Sequence, residues 1–298
     1  MWDLSVSFLN ASMKFFSGFE EAFRTLKEIG FDAVCPSESI PGGEKEGYIR
    51  SLTSAAKKCG IKINMLHLPI VCEVPSEVFL GKKYFDETVD SIDLAAKIGC
   101  KYAVVHPFMP WKKEFFPPET KFDYSLIRKR CEEINFEFFG KLQPYARNAG
   151  LELAIENVYT TDAEFREQLP SGCSETEEWI QYIDTLGEGF CACLDTGHAN
   201  LTDRDDRKIN EKAEKLGGRL KTLHINQNYG KFLKFGDFHQ LPFEGDIDLV
   251  SFAKTLKRIG YSGDFNYEVI LSCADRRIFV EQLKFLKIAA DFIYDSIG

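Results

Sequence analysis

Five histidines occur in this 298-residue sequence, at positions 67, 106, 198, 224 and 239, and none falls in a segment that reads as an outer helix. His67, His106 and His224 each close a short β-rich run (KINMLHL, KYAVVHP, LKTLHIN). His198 follows Asp195 by three residues in CLDTGHAN, and His239 follows Asp237 by two in GDFH. Carboxylates mark the same kind of position: Glu156 in LELAIEN, Asp195 in FCACLDT and Glu268 in DFNYEVI. Imidazole and carboxylate together form a mixed nitrogen and oxygen ligand set suited to Mn, Zn, Co, Fe or Mg. The same groups also move protons near neutral pH. A single strand-end histidine is ordinarily a hydrogen-bonded core group, and a strand-end Asp or Glu ordinarily caps the next helix. Scattered structural histidines would also fall on helices, so the joint pattern favours a site.

The elements that must hold these residues alternate from end to end. Strand-like runs cover 4–9, 31–36, 62–68, 101–107, 151–157, 190–196, 220–226 and 264–270. Between them lie amphipathic helical patterns at 20–29, 83–98, 124–148, 175–186, 208–216 and 249–259, and one at 277–297 closes the chain. Several helices stop at a glycine that opens the next strand, as in KEIGFDAV, AKIGCKYA and RNAGLELA, which is the left-handed C-cap signal. Eight strand-helix units favour a parallel sheet, because parallel neighbours need a crossover. No glycine-rich phosphate turn follows an early strand, so the open doubly wound sheet is disfavoured. The fold expected is α/β, a (β/α)8 TIM barrel forming a single domain over residues 1–298. In such a barrel the C-terminal strand ends form one mouth, where all five histidines would gather. Alternation puts Cys191, Cys193 and Asp195 on one strand face, so the two thiols read as packing beneath the carboxylate.

Bulk composition agrees. With 44% hydrophobic residues and 26 Phe the chain can bury a large core. A net charge of -9 disfavours general nucleic-acid binding through a basic surface. Nine cysteines without a CxxC pair argue against a disulfide framework and a cysteine zinc site, and read as reduced and mostly buried. No secretory signal or membrane-length apolar run is found, so the expected location is the cytoplasm, without a membrane partner.

Taken in order, MLHLP, VVHP, LAIENV, CLDTGHAN, LHINQN, DFHQLPFEGDID and NYEV resemble the xylose isomerase-like barrel superfamily, specifically its sugar phosphate isomerase/epimerase group, over nearly the whole chain. The resemblance implies one divalent metal ion (Mn, Zn, Co or Mg) held by Glu156, Asp195, His224 and Glu268. It implies that Glu156 and Glu268 act as acid and base on opposite faces of a carbohydrate substrate, and that His198 contacts substrate oxygens. His67, His106, Asn226 and His239 are the further candidate substrate-binding residues. A chelated carbonyl and neighbouring hydroxyl would favour the enediolate that forms when a carbon-bound proton leaves. Many relatives read LHIHDN where this chain has LHINQN, so Asn226 and Gln227 replace a second His and an Asp. Lys231 and Lys234 are candidate stand-ins for an arginine that some ketose epimerases carry.

Two other activities fit the same residues. An apurinic/apyrimidinic DNA nuclease resembling endonuclease IV would use a multi-zinc cluster, and His67, His106, Glu156, Asp195, His198, His224, Asp237, His239 and Glu268 can each be set against a ligand of that family. Against it, IENVYTTD lacks a glycine-rich continuation, and Gly197 stands where the nuclease pattern usually has Cys. Trp111, Lys112 and Lys113 are its candidate DNA contacts. An inosose dehydratase-like lyase, or a binding module without turnover, is the third option, since proton abstraction beside a carbonyl also serves dehydration. Phe108, Trp111, Phe115 and Phe116 read as an apolar wall over a sugar or as core, and Glu38 as a hydroxyl contact. A homo-oligomer is a further expectation.

Overall fold

A computed structural model describes all residues except 9, 37–44, 72–73, 110–122, 160–172, 203–206, 231–235 and 272. Eight strands alternate with helices among the described residues: β1 Leu4–Phe8, α1 Phe19–Ile29, β2 Ala33–Pro36, α2 Lys45–Cys59, β3 Met65–His67, α3 Ser76–Phe79, α4 Lys82–Ile98, β4 Tyr102–Val105, α5 Tyr124–Ala149 and β5 Glu152–Glu156. The second half runs α6 Thr176–Leu186, β6 Phe190–Asp195, α7 Thr196–Thr202, α8 Arg207–Leu216, β7 Leu220–His224, α9 Leu249–Arg258, β8 Phe265–Tyr267 and α10 Arg276–Ile297. Every pairing between these strands is parallel, in the orders β2-β1-β8 and β3-β4-β5-β6-β7. Backbone bonds from Val34 N to Lys62 O (3.0 Å) and from Ile225 N to Asn266 O (2.8 Å) join the two groups at both seams. The sheet therefore closes on itself as the (β/α)8 barrel expected.

Both faces of the strands are buried, as a parallel sheet under crossover helices requires. Outward residues meet an aromatic-rich layer that includes Phe23, Phe31, Phe79, Phe138, Trp179 and Phe279. Inward residues Cys35, Met65, Val104, Ala154, Cys191 and Cys193 form a separate small cluster inside the barrel. Eight described cysteines are unbridged and six of them are buried. Glycine matters at the helix exits: Gly99 and Gly150 take φ of 88° and 71° and close α4 and α5. No helix among the described residues is long and apolar enough to cross a membrane.

Three helices differ from the sequence reading, among them the short α3, Ser76–Phe79, which no pattern marked. TGHANLT, read as strand end and loop, is the fully buried helix α7. Lys45–Cys59 forms α2, which the hydrophobic pattern marked only at its terminal Gly60. Glu38, Trp111, Lys112, Lys113, Phe115, Phe116, Lys231 and Lys234 lie outside the described residues. Phe108 is fully packed, its ring 5.3 Å from that of Phe79, which makes it core.

Candidate active site

The last inward residue of a barrel strand points into the mouth, and here those residues are His67, Glu156, Asp195 and His224, with His106 and Glu268 one step beyond their strands. A one-residue bulge on β7, opposite Ala192 and Cys193, brings His224 level with Asp195. That shift is what lets an Asp and a His from adjacent strands share one face.

The five histidines form a continuous chain of rings. His224 to His67, His67 to His106, His106 to His198 and His198 to His239 stand 5.4, 5.1, 5.9 and 6.2 Å apart between centroids. Glu156 lies at their centre, with 0% side-chain exposure. Its Oε2 is 2.9 Å from His106 Nε2 and 3.3 Å from His67 Nε2, while its Oε1 is 3.0 Å from His224 Nδ1 and 3.4 Å from His198 Nδ1. Glu268 Oε2 approaches the same His224 Nδ1 at 3.1 Å, and this carboxylate is 19% exposed toward the mouth.

Asp195 has two duties. Its Oδ1 accepts from His198 N at 2.6 Å, capping α7, and its Oδ2 accepts from Asn226 Nδ2 at 2.7 Å. The helix-cap role weighed for this residue in the sequence is thus real, and the cap fixes where His198 sits. On the far side, Asp237 Oδ2 lies 3.1 Å from His198 Nε2 and 2.9 Å from His239 Nε2. His239 Nδ1 is bound to Glu268 O at 2.8 Å, with the histidine backbone in the left-handed region at φ 44°.

Electrostatics follow from burial and neighbours. Burial pushes the Glu156 carboxyl up, but the imidazoles of His224 and His106 outweigh it and hold it well below the usual carboxylate range. Burial likewise acts on Glu268, where His224 prevails and leaves it at about 2. At Asp195 burial wins over His198, and the carboxyl is pushed up to about 6. His106 is lowered by burial despite Glu156 beside it.

The donors fit a divalent cation. Glu156, Asp195, His224 and Glu268 offer ligand atoms that all lie within 4.8 Å of one another. One imidazole nitrogen cannot fully satisfy two carboxylates at 3.0 and 3.1 Å, whereas a cation among them would satisfy all three. Four triads meet the same distance limit: His67, His106 and Glu156; His67, His224 and Glu268; Glu156, Cys193 and His224; and, apart from these, His198, Asp237 and His239.

One supporting residue was not singled out from sequence. Asn157 accepts from Asp195 N at 2.7 Å and donates to Asp195 O at 3.0 Å, tying β5 to the end of β6. Its signal was a polar residue directly after Glu156, where alternation turns the side chain out of the mouth. Gly197 has a steric reason: a Cβ there would meet Asn226 Oδ1 at 1.9 Å. The side-chain amide of Gln227 accepts from Ile247 N at 3.1 Å and donates to Ile247 O at 3.0 Å, so it organises the loop.

The chain belongs to the family described as Xylose isomerase-like TIM barrel, whose profile matches residues 23–289. An uncharacterized protein of Methanocaldococcus jannaschii is 26% identical over 179 residues, 60% of this chain and 54% of that protein. The chain spans about half the length of the curated relatives it matches. Among solved structures, a D-tagatose 3-epimerase-like protein superposes with a TM-score of 0.72 at 18% identity over 100% of both chains. The 3-keto-D-glucoside 4-epimerase YcjR of E. coli gives 0.68 at 18% identity, covering 96% of this chain and 99% of that one. At such identities the likeness is one of fold.

Proposed function

We propose that this chain, read as one barrel domain over residues 1–298, is a divalent-metal-dependent enzyme that isomerises or epimerises a sugar by moving a proton beside its carbonyl. The observation that carries the reading is the convergence of Glu156, Asp195, His224 and Glu268 within 4.8 Å at the barrel mouth. The reaction class is that named for the two epimerase-type structures of the same fold. These four residues would hold the ion, which when bound would neutralise charge on two adjacent substrate oxygens. Glu268, open to the mouth, is suited to take a carbon-bound proton. Glu156, from the opposite side of the barrel, is suited to return one, its orientation held by His67 and His106. His198, Asn226 and His239 line the approach and are suited to hydrogen-bond sugar hydroxyls. The test is elemental analysis of protein purified without added metal, followed by proton exchange of ketoses with deuterated solvent. One ion per chain and exchange into a ketose support the reading; absence of exchange with every ketose and aldose tried sinks it. A dehydratase would be recognised in the same assay by a product lacking one water.

A second reading is favoured by one specific observation, the overlapping donor triads that share Glu156 and the separate triad of His198, Asp237 and His239. Glu156 belongs to three donor sets at once, as a bridging carboxylate would. A multi-zinc phosphodiesterase resembling endonuclease IV would use all nine residues, with clustered ions acting on attacking and leaving oxygens. Two or three zinc ions per chain, with cleavage of abasic DNA, would establish it over the sugar reading.

A further inference from the structure

Helix α10 buries Phe279, Leu283, Leu286, Ala290 and Ile293 against the barrel. Its outer face is apolar as well: Ile278, Phe285, Ile288 and Phe292 are 54%, 37%, 65% and 56% exposed. Their spacing places them on one stripe of the helix. Phe243, ahead of α9, stands beside the stripe with its ring 5.6 Å from that of Phe292, 47% exposed. It holds φ 69°, a left-handed conformation that bulky residues rarely adopt. With roughly 100 Å² bare on each of these five side chains, the patch is about 500 Å², near the top of what monomers expose.

Charge along the same helix is polarised. Arg277 and Lys284 stand exposed in its first half, Asp291 and Asp295 in its second. Partners on the same helix or at its cap are Asp275 for Arg277 at 3.0 Å, Glu281 for Lys284 at 2.8 Å and Lys287 for Asp291 at 2.5 Å. Within the helix Arg276, Arg277, Glu281 and Lys284 still leave the first half net basic, and Lys287, Asp291 and Asp295 leave the second net acidic.

We propose that this face is the contact surface of a homodimer in which α10 of a second copy packs antiparallel across the first, about a two-fold axis between Phe285 and Ile288. Such a contact is isologous, so one patch must complement itself. Antiparallel pairing does so: Ile278 of one copy approaches Phe292 of the other, and Arg277 of one approaches Asp295 of the other. Parallel pairing would set Arg277 against Arg277 and Asp295 against Asp295. The apolar patch plus its charged rim approaches the roughly 800 Å² per partner of a stable interface. This inference is independent of the chemistry at the mouth.

Sedimentation equilibrium of the full chain at micromolar concentrations tests it. Wild type is expected at the mass of two chains, and Ile288→Glu at the mass of one with an unchanged melting curve. Arg277→Glu is expected to weaken association about tenfold, and adding Asp295→Arg to restore it, because rim charges set orientation. A wild type that sediments as one chain throughout, or an Ile288→Glu variant that stays paired, overturns the proposal. Failure of the charge swap to restore association overturns the antiparallel arrangement.

Discussion

Along five strands the inward residue below the mouth is small or apolar, and the next inward residue is ionisable. Met65 precedes His67, Val104 precedes His106, Ala154 precedes Glu156, Cys193 precedes Asp195 and Thr222 precedes His224. The lower layer holds no charge and packs as a plug. The layer above it concentrates carboxylates and imidazoles with almost no solvent, Glu156, Asp195 and His224 each at 0% exposure. One strand period separates inert packing from reactive chemistry, and the plug is what makes the upper layer reactive. It removes water from one side, so the charges above can be balanced only by one another or by a bound cation.

Erasing that boundary from below should have the largest effect. Ala154→Asp puts an unpaired carboxylate into the plug, and loss of at least about 4 kcal/mol of stability, or failure to fold, is expected in urea denaturation. Neutralising the upper layer should spare the fold and remove the chemistry. Glu156→Gln and Glu268→Gln are each expected to lower turnover about 10²- to 10⁴-fold in the solvent-exchange assay, with the circular dichroism spectrum unchanged. Near-normal turnover in both would defeat the acid and base assignment.

Smaller changes sharpen the comparison. Asn157→Ala removes both bonds that pin the backbone of Asp195, and about 2 kcal/mol of stability should go with them, read by denaturant midpoint. At the opposite end of the barrel, burial pushes the Asp264 carboxyl up to about 6 although Asn64 Nδ2 donates to it. The folded chain thus keeps this group protonated to a higher pH than the unfolded chain, whose carboxyl ionises near about 4. Wild type should therefore lose stability relative to Asp264→Asn as pH rises from 4 to 7, by about 2 kcal/mol, followed by melting temperature. An unchanged difference across that window would mean the carboxyl is ionised throughout.

Much of this molecule was legible in its sequence. All eight strands fall inside the runs that alternation marked, because a parallel barrel buries both strand faces and its β-rich segments are separated by helices with glycine stops. The gathering of five histidines at one end was also legible, since each followed a strand. What escaped was local or long-range. Helix α7 was hidden because its whole length is buried, so TGHANLT lacks the amphipathic stripe that betrays a surface helix. The exposed stripe on α10 escaped for the opposite reason: both of its faces are apolar, and a sequence does not say which one the barrel takes.

The sequence by itself determined the number and order of the strands, the parity of each strand and which residue types reach the mouth, because these follow from a period of 2 along a local stretch of chain. Only the tertiary structure decided which donors share a centre. That depends on the closure of the two seams and on the β7 bulge that levels His224 with Asp195. Each is a contact between residues distant in sequence or a one-residue shift in register, and no local pattern encodes either.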